Sequence, residues 1–125
     1  MKKLPITLLT NRQLDYAVAI CEEQAPIYIK TDQAFKSRKS GIHLDDYPYS
    51  TNWSFSGPII EREGINVCIQ HDEHGRKVSP AYRWYAQLDC RVYTAYGPTP
   101  LIAAIRCYCC AKLGEFVDIP EELID

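Results

Sequence analysis

Three cysteines near the C-terminus, Cys107, Cys109 and Cys110, are the side chains in this sequence with the most obvious chemical potential. Cys107 and Cys110 have CxxC spacing. In redox proteins that motif lies at the N-terminus of a helix, where the thiol pKa is lowered. Here the pair lies deep inside a helical pattern, and free cysteine is among the most buried residue types. The spacing therefore favours cysteines that fill space in a core.

A metal site or a catalytic site would need more partners than the sequence offers at close spacing. Structural zinc takes four Cys or His ligands in two close pairs. His71 and His74 have HxxH spacing, but their turn offers no obvious third ligand, which favours solvent-facing side chains. No Gly-rich phosphate loop, Ser-His-Asp set or HExxH motif occurs. We therefore predict no catalytic residue, no metal and no cofactor, with a metal-dependent hydrolase as the least favoured function.

Length and composition indicate one domain that spans residues 1–125. The chain is 46% hydrophobic and 24% charged, which is enough apolar material for a core. Its net charge of −2 gives no general attraction to nucleic acid or anionic lipid, so any such binding must be local. The first residues lack a signal-peptide core, and no apolar run approaches ~18 residues. These features predict a cytoplasmic protein with reduced thiols and no membrane contact.

Two helices and an antiparallel sheet are expected to position these side chains. A capping box at Thr10 predicts a helix over about residues 11–23. Thr99 as N-cap, Pro100 at the first helical position and Gly114 after the last turn predict a second over about 100–113. Strand-like patterns occur at 59–61, 65–70, 82–89, 92–96 and 115–119. The predicted fold class is α+β, with the sheet packed against these two helices.

A long irregular loop is predicted for about residues 30–57, which lack periodicity. A basic cluster is followed there by an aromatic cluster, a combination that can hold phosphates and stack rings. The residues are Lys30, Lys36, Arg38 and Lys39, then Tyr47, Tyr49, Trp53 and Phe55. Two interpretations stay open. The segment is either a ligand-binding surface, or a solvated basic turn followed by aromatic side chains that close the edge of the core.

A binding cleft is a further hypothesis, and it requires residues 53–63 to lie near residues 97–106. Tryptophan rings would stack on a nucleotide-like ligand, guanidinium groups would hold its anion, and a helix N-terminus would offer N–H groups. Pro98 and Pro100 remove two of those N–H groups. In the alternative interpretation the tryptophans are core and residues 61–63 form surface ion pairs. The candidate ligand-binding residues are Trp53, Arg62, Trp84, Thr99 and Arg106.

Four blocks of the sequence, in the same order and over nearly the whole chain, are similar to one phage family. They are LLTNRQLDYAVAI, STNWSFSGPIIEREGI, GPTPLIAAIRCYCCAKLG and VDIPEEL. They resemble the NinX-like family of small proteins of tailed phages and prophages, a domain of unknown function. The pairing of GPIIERE with a later GPTPLIAA-x-R is specific. Tyr16 stands where the family commonly has tryptophan. Cys109 and Cys110 replace small or apolar residues, which argues against cysteine chemistry.

The resemblance implies a phage accessory protein in the bacterial host cytoplasm, with a fold like the α-β-α sandwich of a related phage domain. The favoured function is a non-enzymatic protein that binds and inhibits a host protein, such as a bacterial defence system. The alternative is a sponge that sequesters a nucleotide-like small molecule. The apolar helix at 100–113 would also permit a homo-oligomer if one of its sides is uncovered.

Overall fold

The computed structural model describes residues 1–9, 11–24, 27–29, 42–89 and 91–124. In these ranges three helices form, α1 (Asn11–Cys21), α2 (Trp53–Glu63) and α3 (Pro100–Leu113). The strands are β1 (Lys2–Pro5), β2 (Ile27–Tyr28), β3 (Ile42–His43), β4 (Asn66–Ile69), β5 (Trp84–Leu88), β6 (Tyr93–Gly97) and β7 (Phe116–Ile119). The predicted α+β class is confirmed. Thr10, the predicted cap of α1, lies outside the described residues.

The strands of the described residues form three small sheets. The largest is antiparallel with the order β4-β5-β6, and its register places Tyr85 between Cys68 and Tyr96. β1 pairs with β7 in an antiparallel ribbon, and β2 pairs with β3 in a short parallel one. The predicted return of the chain after residue 70 is confirmed by the antiparallel pairing of β4 with β5.

α3 is the central element of the fold. The Thr99 hydroxyl accepts from the Ile102 N–H at 3.1 Å, which caps the helix as predicted. Every residue from Ala103 to Cys109 is buried, which requires neighbours all round the helix. The helix packs against all three strands of the β4-β5-β6 sheet and against α1 and α2. Among the described elements, the central layer is therefore α3, and helices cover that sheet on one face.

The middle of the chain differs from the sequence prediction. The sequence predicts a strand at 59–61 and a loop at 30–57, yet α2 occupies 53–63. Asn52 caps its start by accepting from the Ser54 N–H at 2.8 Å, and Gly64 ends it in the left-handed conformation. Pro58, a residue type that usually breaks helices, lies inside it. The part of the predicted loop at 30–41 lies outside the described residues.

Tertiary packing stabilises the helical conformation of α2 despite its proline. Ser56 and Ile59 are buried and Ile60 is partly buried, which is helical spacing of one packed face. The buried Ser56 hydroxyl donates to the Tyr49 carbonyl at 2.5 Å and so attaches the helix to the preceding turn. None of the helices in the described part of the chain is long and apolar enough to cross a bilayer.

Candidate functional site

The five predicted ligand-binding residues lie on different parts of the fold. Trp53 begins α2 and is 53% exposed, whereas Trp84 begins β5 and packs against the core. Arg62 lies on the last turn of α2, nine residues after Trp53. That separation is ~13.5 Å along the axis and about half a turn around it, so the helix does not bring these two side chains together. The binding role of the five stays a prediction.

Arg62 is the centre of a polar cluster that joins the three helices. Its guanidinium donates to both oxygens of Glu22, at 3.0 and 2.8 Å, and its Nε donates to Glu63 at 2.8 Å. It also donates to the Tyr108 hydroxyl at 3.1 Å, and Lys112 lies 3.8 Å from Glu63. We call these five residues the three-helix cluster. The Arg62–Glu63 pair agrees with the predicted surface ion pairs, but sequence reasoning missed the Glu22 partner.

Hydrogen bonding and burial shift the titrations in this cluster. Burial raises the pKa of Glu22, but the hydrogen bonds from Arg62 and Tyr108 outweigh it, so the pKa lies below its ordinary value. Burial, and then the bond to Glu22, raises the pKa of the Tyr108 hydroxyl. The bonds to Glu22 and Glu63 raise the pKa of Arg62 further. Glu22 and Arg62 are therefore charged at neutral pH and bound to each other.

Arg106 and Thr99 both make structural contacts. Arg106 is only 8% exposed, and its guanidinium donates to the Leu9 carbonyl at 3.3 and 2.8 Å and to the Tyr96 carbonyl at 2.9 Å. It thereby links the N-terminal segment to β6 across α3. Thr99 caps α3. These contacts give hydrogen-bond partners to the backbone of three residues, and the bond to the Leu9 carbonyl is buried.

The aromatic cluster predicted in the loop closes the core edge, as one interpretation expected. Tyr49 is buried, and Tyr47 and Phe55 pack against the core with their ring centroids 5.6 Å apart. Trp53 is the exception, because it is exposed. The basic cluster of the same prediction lies outside the described residues.

Two of the three thiols of α3 fill space in the core, as predicted, whereas Cys110 is only partly buried. Cys107 and Cys109 are fully buried. Burial raises the pKa of Cys107 to about 12, and it raises the pKa of Cys109 well above the ordinary value. The Cys107 thiol donates to the Tyr93 carbonyl at 3.4 Å. A thiol with so high a pKa supplies almost no thiolate near neutral pH and is a poor nucleophile or metal ligand.

Sequence reasoning missed a concave apolar surface, which we call the apolar groove. Its volume is about 500 Å³, and it lies between the end of α3, the start of β6 and the β1-β7 ribbon. Val92 and Phe116 are 67% and 50% exposed at this groove. The lining residues are Pro5, Thr7, Val92, Tyr93, Thr94, Cys110, Gly114, Glu115 and Phe116. No periodicity could have shown it, because these residues come from separate segments of the chain.

A second surface is the side of the β4-β5-β6 sheet that faces away from α3, which we call the open sheet face. A shallow depression of about 370 Å³ lies on it. Tyr85 and Tyr96 are cross-strand partners there, with ring centroids 6.4 Å apart. The other lining residues are Gln70, Gln87, Arg91 and Thr94. The alternation of Tyr85 and Gln87 with Trp84, Ala86 and Leu88 is the sequence signal for this surface.

Comparison with known proteins identifies the family. A family model described as bacteriophage P22 NinX matches residues 6–112. The chain belongs to this NinX family. No curated protein matches the chain. The NinX match includes α1, α2, α3 up to Lys112 and the whole open sheet face, whereas Gly114, Glu115 and Phe116 of the apolar groove lie just beyond it.

The described residues of this NinX-family protein include no group of three or more His, Cys, Asp or Glu side chains placed to hold a metal ion. The partly buried carboxylate of Glu22 is occupied by Arg62 and Tyr108. The side chains of the two surfaces indicate what each could contact. The apolar groove can take hydrophobic side chains, and the open sheet face can take flat polar rings.

Proposed function

We propose that this NinX-family protein is a non-catalytic phage accessory protein that binds a host protein in the bacterial cytoplasm, such as a component of a defence system. The observation that carries the proposal is the exposure of Val92 and Phe116, which both line the apolar groove. Single exposed apolar side chains are common on protein surfaces. Two that line the same concavity form a local apolar surface that a partner's side chain can cover.

The lining of the groove defines the partner's chemistry. Apart from Glu115, every residue that lines the groove is uncharged. A partner would insert an aliphatic or aromatic side chain beside Phe116 and place a lysine or arginine near Glu115. Leu8, which is 68% exposed and follows Thr7 in the chain, would extend the contact.

The groove is preorganised, which supports a binding role. β1 and β7 are held together by paired backbone, and the Ile6 N–H donates to the Glu115 carbonyl at 3.0 Å. The Gly114 N–H donates to the Cys110 carbonyl at 3.0 Å, which fixes the turn between α3 and β7. A surface built on paired strands loses little conformational entropy when a partner binds.

The test is affinity capture from host lysate with the tagged protein, followed by titration of the purified partner. Phe116→Asp and Val92→Asp should each weaken binding at least about tenfold, because a charge would enter the apolar contact. Trp53→Asp is the matched control, since Trp53 is 53% exposed on α2, away from the groove lining. A partner that binds Phe116→Asp and the wild type equally would contradict the proposal.

The sponge alternative predicts a different outcome of the same experiments. Nucleotides would raise the melting temperature in a thermal-shift screen, and Trp53→Ala or Arg62→Ala would abolish that rise. If no nucleotide changes the melting temperature and Phe116→Asp loses partner binding, the results support the protein-binding function and contradict the sponge alternative.

A further inference from the structure

The open sheet face has a role of its own. We infer that it binds the unpaired bases of single-stranded nucleic acid, with Tyr85 and Tyr96 as stacking rings. Neither tyrosine lines the apolar groove, so this role is additional to the proposed function. Four observations support it: the exposure of one sheet face, the spacing of its rings, its charge and the backbone next to it.

The first observation is the two-sided character of the sheet. Ala86 and Ala95 are buried, and α3 packs on their side. Side chains alternate along a strand, so their neighbours Tyr85, Gln87, Thr94 and Tyr96 point to the opposite side. Tyr96 is 43% exposed. The contacts of α3 with the sheet account for the buried side, and a sheet surface that presents rings is a known platform for unpaired bases.

The second observation is the distance between the rings. The centroids of Tyr85 and Tyr96 lie 6.4 Å apart, with an angle of 45° between the ring planes. Neighbouring bases in a B-form strand are only about 3.4 Å apart. Two consecutive bases could each cover one ring only after they separate from each other, which single strands allow and duplexes resist. The spacing therefore favours a single strand.

The third observation is the charge and polarity of the surface. Arg91 is the only charged side chain among the lining residues, and none of them is a carboxylate. Gln70, Gln87 and Thr94 add amide and hydroxyl groups that can both donate to and accept from base edges. Asp72, beyond Gln70, is already bound to the Arg76 side chain at 3.1 Å and to two backbone N–H groups. Arg91 thus supplies a positive charge on this surface in a chain of net charge −2, although the exposed Asp89 lies two residues before it.

The fourth observation is the backbone that carries Arg91. In the connection between β5 and β6, Asp89 and Arg91 have φ of 55° and 75°, a region that side-chain-bearing residues rarely adopt. Such a conformation costs energy and persists where the surroundings hold it. Here it places the arginine in the same depression as the two tyrosines, where it would contact the phosphate between the stacked bases.

The experiment uses the full-length protein and a fluorescein-labelled poly-dT strand of about 15 nucleotides, a length within the site size of common single-strand binders, with binding followed by anisotropy. We expect saturable binding that weakens with salt, and a loss of affinity of about fivefold or more in Tyr85→Ala and in Tyr96→Ala. Tyr96→Phe should retain affinity, because the stacking ring is kept.

Arg91→Ala should weaken binding and make the salt dependence shallower by about one counterion. Tyr82→Ala is the control and should bind like the wild type, because it removes another exposed ring that does not line this depression.

Competing ligands and oligomer measurements complete the test. A duplex of equal length and free dTMP should both compete poorly with the strand. The inference is overturned if the strand does not bind, if Tyr85→Ala and Tyr96→Ala bind it normally, or if dTMP binds as tightly. It is also overturned if light scattering shows a dimer that Tyr96→Arg dissociates, because a second copy would then cover the face. Circular dichroism spectra of the variants verify that each one folds.

Discussion

The Tyr108 hydroxyl donates a 2.5 Å hydrogen bond to Oε2 of Glu22 and so joins α3 to the residue that follows α1. The same carboxylate accepts from Arg62 on α2, so three helices meet at one side chain. Glu22 is only 17% exposed, and its partners lie 40 and 86 residues away in sequence. We therefore assign the three-helix cluster a structural role in the packing of α1 and α2 on α3.

Loss of the Tyr108 hydroxyl should measure this role directly. Tyr108→Phe keeps the buried ring but removes the donor to Glu22, and hydrogen bonds to charged groups contribute about 1.5–3 kcal/mol. We expect the free energy of unfolding in urea to fall by about that amount. Tyr96→Phe is the control, because that residue lies on the open sheet face and loss of its hydroxyl should change stability by less than ~0.5 kcal/mol. Equal stability of Tyr108→Phe and Tyr96→Phe would contradict the assignment.

The pH dependence of stability should carry the signature of Glu22. Its pKa in the folded protein is below the ordinary value of 4.5. Its stabilising contribution is therefore complete above that ordinary value and is lost as the pH falls through the lower folded value. Glu22→Gln should be less stable than the wild type at neutral pH, and the difference should shrink on acidification. A difference that stays constant from about pH 7 to about pH 3 would show that Glu22 is not bound as a carboxylate.

The contribution of Asp15 to stability should change with pH in the opposite direction to that of Glu22, so the two residues form a paired test. This carboxyl is buried and accepts from the Ser50 N–H at 2.6 Å, and burial raises its pKa above the ordinary value of 3.8. A raised folded pKa gives a contribution that is present below the ordinary value and is lost as the pH rises through the folded value. Asp15→Asn should therefore make the acid loss of stability steeper, whereas Glu22→Gln makes it shallower. Parallel pH profiles of the two variants, measured by urea unfolding, would contradict this pairing.

Two glycines should respond in opposite directions to the same substitution. A Cβ on Gly97 would lie 2.9 Å from the Ala103 backbone nitrogen, because the end of β6 passes close to α3. Gly97→Ala should cost about 1–3 kcal/mol of unfolding free energy through overpacking. Gly57 lies inside α2, where an added Cβ would meet no atom within 4 Å, so Gly57→Ala should stabilise by about 0.5–1 kcal/mol. Melting curves of both variants decide this, and a stable Gly97→Ala would contradict the close packing.

Local signals in the sequence are sufficient for some parts of the fold. Thr99 and Gly114 correctly predict the two ends of α3, because a helix cap depends on residues that are adjacent in sequence. The burial of this helix on all sides follows from its apolar composition. The sequence does not predict α2, because Gly57 and Pro58 have low helix propensity. The buried face that stabilises this helix becomes apparent only from tertiary contacts. Local patterning predicts such an element poorly when packing has to overcome its propensity.

Candidate sites are harder to predict than elements. Arginine and tryptophan suggest ligand contacts, but Arg106 binds backbone carbonyls of Leu9 and Tyr96 that no spacing rule connects. Val92 and Phe116 lie far apart in the chain, and only the fold brings them into the lining of the same groove. Side-chain type indicates what a residue can do, whereas its partners in space determine whether it is still available.

Thiol labelling gives a direct test of the central position of α3. In a Cys90→Ser background, which removes a cysteine outside the described residues, Ellman's reagent at about pH 8 should react first with the exposed Cys68. Cys107 should react only after urea unfolds the protein, because burial raises its pKa to about 12 and leaves about one thiol in ten thousand ionised. Cys68→Ser should remove the fast phase, and Cys107→Ser should leave it unchanged. A fast phase that disappears with Cys107→Ser would mean that α3 is open to solvent, and the layer order of the fold, with α3 between the sheet and the other helices, would then be incorrect.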